Sequence, residues 1–139
     1  MRMTDIQKKI NKIAGKYHIQ VIYAFGSRAK EINLLIQGKK RTLSRSHSDL
    51  DIGIKTEHPL NVKDKADIAV FFEDLFEMPR VDVVVISEAP IPLAYKIVTG
   101  ELIFARDETD EAEYQLLIMR MMADILPHLR SRRKLALGT

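Results

Sequence analysis

The run His18-Ile19-Gln20-Val21-Ile22-Tyr23-Ala24-Phe25-Gly26-Ser27, followed later by Ser48-Asp49-Leu50-Asp51-Ile52-Gly53-Ile54, decides how this chain folds. The first segment is rich in β-branched and aromatic residues and reads as a strand over 18–25, stopped by a Gly-Ser turn. The second alternates. Successive strand side chains point to opposite faces, so Asp49 and Asp51 share one face while Leu50, Ile52 and Ile54 share the other, toward a core. Two carboxylates on one face suit a hard cation that also grips phosphate oxygens. Gly26 lets backbone approach a ligand closely. The amides of Ser27 and Arg28 and the Ser27 hydroxyl are then placed to donate to phosphate oxygens, the more so if a helix starts there.

Outward from this pair, Thr4-Asp5-Ile6-Gln7 reads as a capping box opening a helix over 5–16. Residues 28–36 have a modest helical pattern, and 38–48 are polar and basic, a loop. Asn61 is the expected cap of a helix over 62–77, with Val62, Ala66, Ala69, Val70, Leu75 and Phe76 marking its apolar side. Val81 to Ser87 is the strongest strand signal, and it contains one acid, Asp82. An unpaired buried carboxylate is costly, so Asp82 is expected at a strand start or matched to a cation. Pro90 and Pro92 precede a short helix over 93–99, and 102–105 reads as a short strand. A long helix is expected over 107–133, kinked or ended by Pro127, with Tyr114, Leu117, Ile118, Met121 and Ile125 on one stripe. The alternation of strands and helices argues a mixed sheet with helices packed on one side.

Composition sets the outer limits. The chain has 139 residues, 46% apolar and 29% charged, as expected of one globular domain. No cysteine is present, which excludes disulfides and thiolate metal sites. There is no apolar run long enough to span a membrane and no signal-peptide core, so a cytoplasmic protein is expected. The net charge of +3 is mild, with bases clustered at Lys39-Lys40-Arg41, Arg45 and 130–134. His47 precedes the paired acids and could contact phosphate or base, but a solvated loop histidine is the favoured reading. Walker-type and nucleophile-elbow motifs are absent.

AFGSRA at 24–29, SDLDIGI at 48–54 and VDVVVI at 81–86 together resemble the minimal nucleotidyltransferases of the DNA polymerase beta superfamily, antitoxin partners of HEPN-domain toxins. The resemblance covers roughly residues 5–105 and implies the α/β (α+β) nucleotidyltransferase fold. This is a mixed sheet of about three to five strands with helices packed on it, in one domain over 1–139 with a C-terminal helical extension over about 107–133. It implies ATP as donor with Mg²⁺, and AMP as the group transferred. Gly26, Ser27 and Arg28 match the nucleotide-binding turn. Asp49 and Asp51 match the metal-binding acids, and Asp82 the third acid, placed to assist deprotonation of an acceptor hydroxyl. In the toxin–antitoxin members that hydroxyl is a tyrosine of the cognate HEPN toxin, an RNase, and the long last helix would be part of the docking surface of a hetero-oligomer. Two features depart from the family: residues 28–48 make a longer separation between Ser27 and Asp49 than is usual, and Glu31 stands where many members have glycine.

Two other functions fit the same residues. A binding module could neutralise a toxin by masking it, but masking would not need three acids. Transfer to a small molecule such as an aminoglycoside usually goes with an added substrate domain, for which residues 106–139 are too few. No region suited to direct nucleic-acid binding stands out.

Overall fold

A computed structural model describes residues 4–39 and 49–137. The elements run α1 (Asp5–Lys16), β1 (Ile19–Phe25), α2 (Ala29–Ile36), β2 (Leu50–Thr56), α3 (Val62–Phe76), β3 (Val81–Val85), α4 (Ile91–Val98), β4 (Glu101–Ala105) and α5 (Glu108–Leu137). The four strands form one mixed sheet in the order β3-β2-β1-β4. The β1 strand is antiparallel to both β2 and β4, whereas β2 and β3 run parallel. The expected basic loop and His47 fall largely in 40–48, outside the described residues.

The sheet is covered on both faces, not one. Ile22 and Ala24 of β1 pack with Ile10 and Ile13 of α1, Ile32 and Leu35 of α2, and Ile68 and Phe72 of α3. The intervening Val21, Tyr23 and Phe25 pack on the other side with Ala94, Ile97 and Val98 of α4 and Ile118 of α5. A strand buried on both faces needs a continuous apolar run, which is what Val21 to Phe25 supplies.

Local chemistry sets the helix ends. The Thr4 hydroxyl accepts from the Gln7 amide at 3.2 Å, and the Gln7 side chain accepts from the Thr4 amide at 2.8 Å, closing the capping box before α1. Asn61 Oδ1 accepts from the Asp64 amide at 2.7 Å and starts α3. The packed face of α3 differs from expectation. The buried ladder is Ile68, Phe72 and Phe76, at four-residue spacing, while Val62 and Val70 are 84% and 51% exposed.

Three boundaries also differ. The third strand ends at Val85, and Ile86–Glu88 form a 3₁₀ turn closed by the Ala89 amide on the Ile86 carbonyl at 3.1 Å, which brings Ile86 into the second core. Helix α4 starts at Ile91 and takes Pro92 into its first turn, where a missing N–H breaks no helical bond. Helix α5 runs through Pro127 to Leu137. Ala123 and Pro127 both lie on its exposed side, where the carbonyl left without a donor can be hydrated. The expected apolar stripe splits: Ile118 is buried and Tyr114 half-buried, while Leu117 and Met121 remain exposed, as does Leu116 beside the stripe.

Helix α5 is tied down at its start. The Tyr23 hydroxyl donates to the buried Glu111 carboxylate, and burial together with that carboxylate pushes the phenol's pKa far up. Gln115 Nε2 donates to the Val98 carbonyl at 2.8 Å, joining α5 to α4. The close seating of α4 depends on Gly53 of β2, since a Cβ there would overlap the Ile97 side chain. Gly53→Ala is therefore expected to destabilise the fold by about 1–3 kcal/mol through overpacking. In denaturant unfolding, Ile97→Ala should recover part of that loss in the double variant. Additive losses would show that the two residues do not compete for space.

Candidate active site

The residues singled out in the sequence meet at one end of the sheet. In register, Phe25 of β1 pairs with Asp51 of β2, and Asp51 pairs in turn with Asp82 of β3. Asp49 stands immediately before β2. Neighbouring strands lie about 4.8 Å apart, so the pairing alone sets the Asp51 and Asp82 carboxylates side by side. Parallel pairing of β2 with β3 thus does what the sequence could not specify: it chooses which position of the third strand meets Asp51.

Gly26 follows β1 with φ +79°, a left-handed conformation that favours glycine. Space is as restrictive as torsion there, because a Cβ on Gly26 would lie 2.7 Å from Asp51 Oδ2. The turn is therefore pressed against the Asp51 carboxylate. The Ala29 amide donates to the Gly26 carbonyl at 3.3 Å, and α2 begins with Arg28 at its N-cap. Ser27 is exposed at this turn, next to a helix N-terminus, where the backbone dipoles favour an anion. The Arg28 side chain points elsewhere. It is buried, with Nη2 3.7 Å from Met78 Sδ and Nε 3.5 Å from Glu31 Oε2, leaving its backbone as the part that faces the turn. Glu31, an odd residue against the family pattern, thus has a structural task as the partner of Arg28.

Two cations bear on the acids that sequence reasoning missed. Arg80 Nε lies 3.5 Å from Asp82 Oδ1 and 3.7 Å from Asp49 Oδ2. Its signal was position: it stands two residues before Asp82, on the same face of an extended segment. Lys96 of α4 acts on Asp51, a relation no sequence spacing reveals. The Asp51 pKa is raised above the ordinary carboxylate value, first by burial, then by Asp82 and, more weakly, Asp49, with Lys96 opposing. Among the described residues, no three Asp, Glu, His or Cys side chains are already gathered as a metal site. The donor set still fits Mg²⁺ in kind: hard carboxylate oxygens, few in number, beside a turn open to phosphate.

A carboxyl whose pKa is higher folded than unfolded costs stability wherever it is ionised in the fold. The cost is absent below the ordinary pKa and grows as pH rises through the raised one. Asp51→Asn is accordingly expected to raise Tm modestly at pH 7 without divalent metal, a gain that fades as pH falls through the ordinary carboxylate range. Thermal unfolding across that pH range checks it. A lower Tm for Asp51→Asn at neutral pH would mean the carboxylate is held by net favourable contacts.

The fold has close counterparts among solved structures. A chain of a toxin–antitoxin complex crystallised with AMP-PNP is 21% identical, with a TM-score of 0.66 and 95% of each chain covered. A chain of the MntA–HpeT toxin–antitoxin, in a mutant with two aspartate-to-glutamate changes, is 19% identical with a TM-score of 0.67, again over 95% of each. A third is a chain from the tri-AMPylated HEPN toxin of Shewanella oneidensis in complex with its MNT antitoxin. It is 20% identical with a TM-score of 0.62, covering 96% of this chain and 93% of that one. Among curated proteins none matches. The model of the polymerase beta nucleotidyltransferase family matches residues 8–109, from within α1 to the start of α5, and so includes the Gly26-Ser27 turn and all three acids. On that match, the chain belongs to the polymerase beta nucleotidyltransferase family.

Proposed function

We propose that this protein transfers AMP from Mg-ATP to a tyrosine hydroxyl of a HEPN-domain toxin and acts as its antitoxin. The observation that carries the reading is the convergence of Gly26, Asp49, Asp51 and Asp82 at one end of the sheet, in a chain of the nucleotidyltransferase family. Similarity in fold to chains from a toxin–antitoxin with AMP-PNP and from a tri-AMPylated HEPN toxin complex supports the choice of donor and acceptor.

In this reading each group has a role. The backbone at Ser27 and Arg28 and the Ser27 hydroxyl hold the triphosphate at the start of α2. Asp49 and Asp51 hold Mg²⁺, and Asp82 completes the set near the acceptor. When bound, the metal neutralises charge on the phosphates and so favours attack at the α-phosphorus. Asp82 accepts the proton from the tyrosine hydroxyl. The tyrosine oxygen forms a bond to the α-phosphorus, the bond to the β-phosphate oxygen breaks, and pyrophosphate leaves. Positioning and charge neutralisation carry the reaction. Leu116, Leu117 and Met121, exposed on α5, offer the toxin an apolar surface. No helix among the described residues is long and apolar enough to cross a membrane, in keeping with a cytoplasmic setting for the pair.

The test uses ATP labelled at the α or the γ phosphate, with Mg²⁺ and the product of the neighbouring gene. Label should enter the toxin from α-labelled ATP alone, and Asp51→Asn should lower incorporation at least about 100-fold, as expected when charge stabilisation at the reacting phosphate is lost. A stable complex with no label from either ATP would contradict transfer and favour masking.

A further inference from the structure

Arg80 is fixed in backbone and exposed in side chain. Its carbonyl accepts from the Leu50 amide at 3.4 Å, across the two strands that carry the acids. The next amide, of Val81, donates to Glu73 Oε2 at 3.3 Å. The side chain, 69% exposed, nonetheless reaches back to Asp49 and Asp82, with Nε 3.7 and 3.5 Å from one oxygen of each. Asp49 and Asp82 are two of the three acids that the proposed function assigns to the metal.

A guanidinium and a divalent cation compete for such a site. Both need the same carboxylate lone pairs, and their charges repel at this range. Arg80 cannot be neutralised by losing a proton, so a metal ion entering between these acids has to displace it. A displaced guanidinium on an anchored backbone stays close, and its planar donors match phosphate oxygens well.

We infer that Arg80 is a tethered counter-ion that holds Asp49 and Asp82 in the metal-free protein and moves to the triphosphate when Mg²⁺ arrives, coupling metal binding to nucleotide binding. This rests on the assignment of Asp49, Asp51 and Asp82 to the metal. It makes Arg80 a positioning residue. Its consequence is that free Mg²⁺ binds weakly, because Arg80 opposes it, and binds better with ATP, which accepts the displaced charge.

Calorimetric titration of Mg²⁺ into the full chain, with and without AMP-PNP, tests the inference in wild type, Arg80→Gln, Arg80→Lys and Asp51→Asn. Arg80→Gln should bind free Mg²⁺ about 3- to 5-fold tighter, the size expected for losing exposed ion pairs. The factor by which AMP-PNP tightens Mg²⁺ binding should shrink in the same variant, and Arg80→Lys, which keeps the charge, should stay near wild type in its binding of free Mg²⁺. Equal or weaker Mg²⁺ binding by Arg80→Gln, with Asp51→Asn losing the metal, would overturn the role of Arg80 and leave the site assignment standing. No Mg²⁺ binding by wild type in either condition, or undiminished binding by Asp51→Asn, would overturn both.

Discussion

Crowding of negative charge where β2 meets β3 is the constraint on which the rest of the site depends. Parallel pairing sets Asp51 opposite Asp82, Asp49 stands just before β2, and the Gly26 turn closes the remaining side. Burial first, and then the charges of Asp82 and Asp49, raise the Asp51 pKa. The fold tolerates this because a hydrophobic core on each sheet face holds the strands. On the proposed function, such an arrangement weakens the free protein and would become favourable once a cation is bound. Active sites commonly show this exchange of stability for function.

The surrounding structure serves that end of the sheet. Gly53 allows α4 to sit close, and α4 carries Lys96 toward Asp51. Gly26 has no side chain because the Asp51 carboxylate occupies that space. Arg28 leaves the turn to its own backbone, since its side chain is buried beside Met78 and Glu31.

Much of this was legible in the sequence. The β1 run, the alternation after Asp49 and the single acid in the third strand announced the sheet and the acids that meet at its end, because strand periodicity is a local property. What escaped is what depends on partners distant in the chain. A run apolar at every position already hinted at burial on both faces, but which helices cover each face is decided by packing. Of the buried ladder Ile68-Phe72-Phe76, only Phe76 stood out in the sequence, and Ile68 and Phe72 lost out to small and β-branched neighbours, since α3's orientation follows from the sheet beneath it. Pro127 reads as a kink or a stop, yet exposure lets the helix pass through it. The place of Arg80 beside two acids follows from strand pairing, which the sequence alone does not spell out.

Thermal unfolding of wild type and Gly26→Ala, each with EDTA and with MgCl₂ plus AMP-PNP, tests most directly that turn and acids form one cation-dependent nucleotide site. A saturating ligand at about 100 times its Kd adds about 2.7 kcal/mol of stability. The wild type should therefore gain several degrees of Tm with Mg²⁺ and nucleotide. Gly26→Ala, whose methyl group meets the Asp51 carboxylate, should lose most of that gain. An equal gain in both proteins would contradict the account.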